Sequence, residues 1–171
     1  MYLRKLEMKD APLMLEWMHD DMAVCFLQTD FRSKTIEDCR GFINASCGNN
    51  NMHLAVADDE DQYMGTVSLK NITGRSAEFA IAMRSCAMGK GYSKFAMENI
   101  IKTGFEELGL SLIYWSVSPD NKRAVRFYDK NGYNKVPSDT LVITGGYSRE
   151  QILKYLWYRI TREEWKNKAR I

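Results

Sequence analysis

The chain has 171 residues, of which 45% are hydrophobic, 27% charged and 12% aromatic. At about 150 residues per domain, this predicts one continuous globular domain over 1–171 with enough apolar material for a core, and it excludes a disordered chain. No apolar run nears the ~20 residues of a membrane span, the opening Met1-Tyr2-Leu3-Arg4-Lys5 lacks the apolar stretch of a secretory signal, and no basic stripe with interleaved aromatics is visible, so the expectation is a cytoplasmic protein with no membrane and no nucleic acid among its partners.

The net charge of +2 hides an asymmetry, since residues 1–61 hold 6 Lys and Arg against 12 Asp and Glu while 62–171 hold 18 against 10. One reading is that solvated faces differ, because four of those acids form the single run Asp58-Asp59-Glu60-Asp61. The other is a pair of ligands of opposite sign, an anion held by the C-terminal two thirds and a cation nearer the N-terminus. Cys25, Cys39, Cys47 and Cys86 form no C-x-x-C pair and His19 and His53 lie far apart, so neither a metal nor a disulfide framework is expected.

Tyr2 to Leu6 reads as a short first strand. Asp10 can cap a helix holding Leu13, Met14, Trp17 and Met18 at helical spacing, and Ser33 or Thr35 opens a second helix running through Cys47 and closed by Gly48-Asn49-Asn50-Asn51. Leu54 to Ala57 and Tyr63 to Leu69 flank the acidic run as the arms of a hairpin with its tip at Asp58 to Asp61. A strand over Ala77 to Met83 is followed, after Gly89 and Gly91, by a helix with Met97, Ile101, Phe105 and Leu108 on one face. Leu112 to Val117 is apolar without alternation, the pattern of a strand covered on both faces in the middle of a sheet.

Ser118-Pro119-Asp120 then supplies an N-cap, a proline for the first helical position and a first-turn acid, and Gly132 supplies the stop. Tyr133 to Val136 resumes extended structure and 138–150 carries no clear pattern. Tyr155 to Ile160 reads as a last strand, ahead of a capping box at Thr161-x-x-Glu164. The order is α+β, with helices interrupting a single sheet.

Two segments carry chemistry. Met88-Gly89-Lys90-Gly91-Tyr92-Ser93-Lys94 lies between a strand and a helix, where glycines let the backbone approach a ligand and the free N–H groups of a helix N-terminus suit a phosphate or pyrophosphate; the same glycines also serve a plain tight turn. Its spacing is neither a Walker loop nor a full dinucleotide fingerprint. In Asn121-Lys122-Arg123-Ala124-Val125-Arg126-Phe127-Tyr128-Asp129-Lys130-Asn131-Gly132-Tyr133, Ala124 leaves room for a ligand and Tyr128, four residues on, brings a phenol to the same side of the helix, a place where tyrosine is commonly a core residue.

In this order and at this separation the two segments resemble the signature motifs of the GNAT N-acetyltransferase superfamily, which binds acetyl-coenzyme A, and the resemblance covers most of the chain. The family's acyl-carrier motif has Gln or Arg, two residues, Gly, one residue, then Gly or Ala; Met88 replaces the first, Gly91 matches, and Ser93 replaces the last. The branch that contains ribosomal-protein alanine acetyltransferases and spermidine acetyltransferases is similar at Ala77-Glu78-Phe79-Ala80-Ile81. The fold implied is a single mixed, mostly antiparallel sheet of about six to seven strands flanked by about four helices.

The resemblance also implies a site. Acetyl-CoA, as co-substrate, would lie against backbone N–H groups from Gly89 through Lys90, Gly91, Tyr92 and Ser93 to Lys94, with Met88 in place of a polar side chain, against the backbone of Ile81, Ala82 and Met83, and against Asn121. Tyr128 matches the family's frequent general acid and is a protonated phenol at neutral pH. The position of a Glu base in some relatives is Ser116 here, which leaves Glu78, acting directly or through water, as the candidate base. No metal is called for.

The acceptor amine would sit near residues 12–45, where Asp20, Asp21, Asp30, Glu37 and Asp38 favour a small cationic amine such as a peptide N-terminus, polyamine or amino sugar, and Trp17, Phe26 and Phe31 either wall the pocket or belong to the core. An amino-sugar precursor, free or nucleotide-linked, is the alternative acceptor, and a non-catalytic acyl-CoA-binding module the alternative to an enzyme. The tail Trp165-Lys166-Asn167-Lys168-Ala169-Arg170 reads as a basic helix, solvated or set against a 3′-phosphate or a partner, and exposed edge strands are compatible with a homodimer.

Overall fold

Residues 1–48 and 50–168 are described in a computed structural model of the chain. Tyr2–Lys5 forms strand β1, after which Pro12 sits in the first turn of helix α1, Ala11–Met18. A short helix α2, Asp21–Val24, is capped by Asp20, whose carboxylate accepts from Met22 N. Helix α3, Ile36–Asn44, opens with a capping box in which Thr35 and Asp38 exchange side-chain to backbone bonds.

Helix α3 ends three residues short of the sequence expectation, because Cys47–Gly48 leaves it as strand β2 to pair with Met52 and Asn51. Asn49, in the expected stop, lies outside the described residues. Strands β3, Asn51–Ala57, and β4, Tyr63–Thr73, form the expected hairpin with the acidic run at its turn, and β5, Ser76–Met83, follows.

Helix α4, Tyr92–Glu106, buries Met97, Ile101 and Phe105 as expected together with Ala96, Ile100 and Gly104, while Leu108 falls beyond its end and is exposed. Strand β6, Leu112–Val117, has the predicted bounds. Helix α5, Lys122–Lys130, starts three residues later than the proline suggested: Ser118 Oγ accepts from Asp120 N (3.3 Å) in a tight turn, and Asn121 is the N-cap, with its Oδ1 accepting from Ala124 N at 3.1 Å.

Strand β7, Asn134–Val136, leads through an irregular stretch to a short helix α6, Arg149–Lys154. Strand β8, Leu156–Thr161, and helix α7, Arg162–Lys168, close the described chain, with Thr161 and Glu164 bonded as the capping box requires. Of the basic tail, Trp165 packs on Phe105 and Lys168 donates to Asn131 O, while Ala169 and Arg170 lie outside the described residues.

The strands form one sheet in the order β1-β3-β4-β5-β6-β8-β7, with β2 on β3, and every pairing is antiparallel except β5 with β6. The mixed, mostly antiparallel sheet matches the expectation, with one more strand and more short helices than anticipated. Strand alternation sorts the side chains onto two faces. Phe79, Ile113, Trp115, Tyr158 and Ile160 point to α4 and α5 and make the larger core. The opposite face is covered at one end by α1 and α3, around Trp17, Cys39 and Ala55, and at the other by the chain between β7 and β8, around Tyr114, Leu141 and Trp157.

Candidate active site

The central feature is a split in the sheet. Strands β5 and β6 pair in parallel only from Ser76–Leu112 to Glu78–Tyr114; from there β5 continues beside β4 to Met83 and β6 continues beside β8 to Val117. The inner edges diverge, so Ala80, Ile81 and Ala82 are half-buried strand residues without a strand partner on that side among the described residues. The sequence reading set a ligand against the backbone of Ile81, Ala82 and Met83; Ile81 and Ala82 lie on this unpaired edge and Met83, at its end, is buried.

Past the end of β5 the chain turns through Ser85–Ala87 and Met88 into the glycine loop. Gly89 and Gly91 have φ of +76° and +88°, a region that side chains rarely adopt, and a Cβ at either would meet nothing within 4 Å. Space is therefore not what selects glycine here; backbone conformation is. Gly91 is the N-cap of the 15-residue helix α4 and supplies no side-chain cap, so the first-turn N–H groups, those of Tyr92, Ser93 and Lys94, face outward at the positive end of the helix dipole. Such a cradle fits a phosphate or pyrophosphate. The hydroxyl of Ser85 is bonded to Asp20, which ties the loop to α2.

At Met88, where the motif has Gln or Arg, the Arg123 guanidinium from the first turn of α5 rests on the thioether sulfur. A cation is thus present beside the loop after all, brought by another helix. Asn121 is half-buried at the start of that helix with its Oδ1 committed to the cap.

On the α5 side of the split, Tyr128 is buried against Trp115 and Tyr158, with ring centroids at 5.3 and 5.1 Å, and faces Tyr133 edge-on. Trp115 directly follows the last β5–β6 pair, so this aromatic box begins where the strands part. Burial raises the Tyr128 phenol above its ordinary pKa, and Tyr133 adds to the shift. Tyr158 spends its own hydroxyl on Asp129 at 2.9 Å. The Trp115 indole N–H is buried with no hydrogen-bond partner among the described residues, and its ring stands edge-on to Tyr133 at 5.1 Å.

On the other face at the same level lies Glu78, 3% exposed. Its Oε2 accepts from Asn71 Nδ2 at 2.9 Å, and its Oε1 accepts from the Tyr147 hydroxyl at 2.5 Å and sits 3.3 Å from Lys70 Nζ. Asn71 occupies a break in the β4–β5 register with φ of +50°, a conformation asparagine tolerates better than most residues. Tyr147 also lies 3.2 Å from Ser116 Oγ and packs on Trp157. Its phenol is raised by burial first and then by the Glu78 charge. Next along the same face, the buried His53 is 2.7 Å from Ser68 Oγ, and burial lowers its pKa to about 4.

Glu78 and Tyr128 therefore stand on opposite faces of the split. The acids expected to receive a cationic amine are mostly committed within the protein. Asp20 is bonded to Ser85 and Met22 N, Asp21 to Arg32, Glu37 to Arg40, and Asp38 to Thr35. The acidic turn is spent similarly, with Asp61 between Arg4 and Lys9 and Asp59 on the N-terminal amine. Trp17 is a core residue that donates to Tyr63 Oη at 2.9 Å and packs on Phe31, whereas Phe26 is exposed. Among the described residues no group of three or more His, Cys, Asp or Glu is placed to hold a metal, and no helix is long and apolar enough to cross a membrane.

A glycine loop opening a helix and a tyrosine on the next helix follow the order of the sequence motifs, and the structure adds the split in the sheet beside them. The profile of the Acetyltransferase (GNAT) domain matches residues 1–134. The chain belongs to the GNAT acetyltransferase family. It is an acetyl-CoA-dependent N-acetyltransferase.

Among curated relatives, Acetyltransferase PseH of Campylobacter jejuni is 23% identical over 135 residues, covering 79% of this chain and 83% of that protein. The spermidine N(1)-acetyltransferase of Vibrio cholerae is 32% identical over 82 residues, 47% of each chain. The crystal structure of spermidine N-acetyltransferase from Vibrio cholerae in complex with CoA and spermine has a TM-score of 0.79 at 21% identity, covering 97% of this chain and 98% of that one, a likeness of fold.

Sequence reasoning missed Tyr147, Asn71, Lys70 and Arg123. Arg123 stood inside a quoted motif and had a signal, the missing polar residue at Met88. Tyr147 lay in the stretch without a pattern and had none.

Proposed function

We propose that this GNAT enzyme binds acetyl-CoA in the split between β5 and β6 and transfers the acetyl group directly to a primary amine entering on the Glu78 face. The observation that carries the reading is the split itself, which runs from an open helix N-terminus to a point where a buried phenol lies on one face and a buried carboxylate on the other. The α4 N-terminus and the glycine loop would hold the phosphates, Arg123 would add positive charge, and the inner edge of β5 would bond the extended pantetheine arm.

Transfer forms a nitrogen–carbon bond and breaks a carbon–sulfur bond. The amine must lose a proton, and the sulfur must leave with its charge stabilised. The Tyr128 phenol, raised above an ordinary value near 10, is protonated throughout the neutral range. A thiol titrates near 8.5, so completing the proton transfer to sulfur would be uphill, and Tyr128 serves the thiolate as a strong hydrogen-bond donor. A backbone N–H near Met83 is the donor assigned to the carbonyl oxygen. Glu78 is the proton acceptor for the amine.

For the acceptor, Asp21 and Glu37 are charge-paired with Arg32 and Arg40, whereas Asp20 and Asp38 bond only neutral groups and keep their negative charge, which suits a single cationic amine. A monoamine such as a peptide N-terminus is the first reading. The amino group of an amino sugar is the second, supported by the polar hydroxyl and amide groups of Ser116, Asn71 and Tyr147 on that face.

Thermal unfolding with and without acetyl-CoA is the test. At ~100 times its dissociation constant the ligand adds ~2.7 kcal/mol, which for a chain of this size raises the midpoint by roughly 5–10 °C. No shift at millimolar acetyl-CoA overturns the site assignment. Thiol release with a panel of a peptide, an amino sugar and spermidine then ranks the acceptors, and a strong preference for spermidine overturns the acceptor reading.

A further inference from the structure

Deprotonation of the acceptor is the step that the residues above serve least directly. A primary amine arrives at neutral pH as an ammonium ion, and the side chain on β6 just past the split is Ser116, a hydroxyl with no basicity of its own. Glu78 is the nearest anion on that face, yet its carboxylate is 3% exposed and already engaged by Lys70, Asn71 and Tyr147. Direct contact between this carboxylate and an incoming amine is blocked by its own partners.

The geometry of Tyr147 supplies a path around them. Its hydroxyl has one proton, and that proton is donated to Glu78 Oε1 at 2.5 Å. The contact with Ser116, 3.2 Å away, must then run the other way, with Ser116 Oγ–H donating to Tyr147 Oη. Ser116 is half-buried, and its lone pairs remain for a donor in the split. The hydrogen bonds thus point in one direction, from β6 through Tyr147 to β5.

The loop carrying Tyr147 is fitted to this position. A Cβ on Gly145 would come within 2.9 Å of Glu78 Oε2 and 2.8 Å of Tyr147 Cε2, so the carboxylate and the ring fill the space a side chain would need. Tyr147 N donates to Gly145 O at 2.8 Å, and the ring stands edge-on to Trp157 at 5.1 Å. The other polar or titratable groups on this face include Lys70 on β4, Tyr114 on β6 with Thr144 at its hydroxyl, Arg159 opposite Tyr114 on β8 and, beyond Lys70, His53 on β3.

We propose that Tyr147 is a positioning residue that links Ser116 to Glu78 and passes the acceptor's proton between them. The ammonium N–H proton moves to Ser116 Oγ, the Ser116 hydroxyl proton moves to Tyr147 Oη, and the Tyr147 phenol proton moves to Glu78 Oε1. The N–H electron pair stays on nitrogen for attack, the carboxylate becomes a carboxylic acid, and both hydroxyls are regenerated. This rests on the reading of Glu78 as the proton acceptor.

The test uses the full chain and thiol release from acetyl-CoA with two simple primary amines of different basicity, propylamine and glycinamide, across pH 6 to 10. Tyr147→Phe keeps the ring on Trp157 and removes only the hydroxyl. The expected result is an unchanged acetyl-CoA-induced thermal shift and a loss of about 10–100-fold in kcat/KM for propylamine at pH 7. That loss should shrink toward pH 10 and be smaller for glycinamide, whose amine arrives with less to give up. Ser116→Ala should reproduce the pattern and Ser116→Thr should restore most of the rate.

A loss that is equal at every pH and for both amines makes Tyr147 a structural residue and overturns the relay. Full activity in Tyr147→Phe together with a defect in Glu78→Gln overturns the relay and leaves Glu78 as the base. Full activity in both overturns the reading of Glu78 itself. Should Glu78→Gln fail to fold, Glu78→Asp keeps the charge and withdraws it from Tyr147, with the same pH-dependent loss expected.

Discussion

On one side of the split the protein presents aromatic rings, with Tyr128 among Trp115, Tyr133 and Tyr158; on the other it presents a carboxylate held by an ammonium, an amide and a phenol. The ring side draws mostly on one stretch, residues 115–133, and is stabilised by apolar burial, which is non-directional and forgiving of small changes. The polar side draws on β4, β5, β6 and the β7–β8 connection, and each of its buried groups depends on a partner from another segment. Removing one partner leaves the others unsatisfied, so this side is expected to respond as a unit.

Substituting Tyr128 by Phe is the largest test of that contrast. The ring stays in its box, stability should change little, and kcat should fall by roughly 10²–10³-fold, the cost of losing one donor to a developing anion, with the acetyl-CoA thermal shift intact. Unchanged turnover would reduce the ring side to a scaffold.

Acid should undo the polar side first. The His53 pKa is lowered by burial to about 4 from an ordinary 6.5, so between those values the unfolded chain binds a proton that the folded chain refuses. Stability is then lost as pH falls from about 6.5 to 4, by about 2 kcal/mol at pH 4.5 from this group alone. Urea unfolding across that range, with His53→Gln as the flattened control, measures it. Equal slopes in the two proteins would remove His53 from the account.

Gly91 tests the ligand-facing loop that both faces share. Its φ of +88° makes Gly91→Ala strained by about 1–2 kcal/mol even though the space is open. The expected outcome is about a tenfold rise in KM for acetyl-CoA, and a drop in unfolding midpoint with KM unchanged would mean that the loop is only a turn.

Arg123→Ala should have the smallest effect, about a threefold rise in KM for acetyl-CoA with kcat unchanged, because an exposed cation acting on an anion is heavily screened. A loss in kcat instead would mean that Arg123 holds the loop in shape through Met88.

The same contrast explains which parts were readable in advance. The ring side and the glycine loop follow from local rules: positive-φ glycines ahead of a helix, an N-cap asparagine, and apolar residues three and four apart. Even there a proline misled, since Pro119 went into the turn that Ser118 closes and Asn121 capped the helix instead. The charge asymmetry was less informative, because an acid count cannot tell a free carboxylate from one paired with Arg32, Arg40 or Arg4.

By itself the sequence determined the order of the main strands and helices, the glycine loop ahead of α4, the tyrosine on the following helix and the family these motifs belong to, since each motif depends on residues within about a dozen positions of one another. Only the tertiary structure decided that Ser116, Glu78 and Tyr147 share one hydrogen-bonded chain and that Arg123 meets Met88. The reason is geometric. The parallel β5–β6 pairing stops after Glu78, and where two strands part and which loop folds back over the gap depend on packing between segments separated by 69 positions, a distance over which no local periodicity carries information.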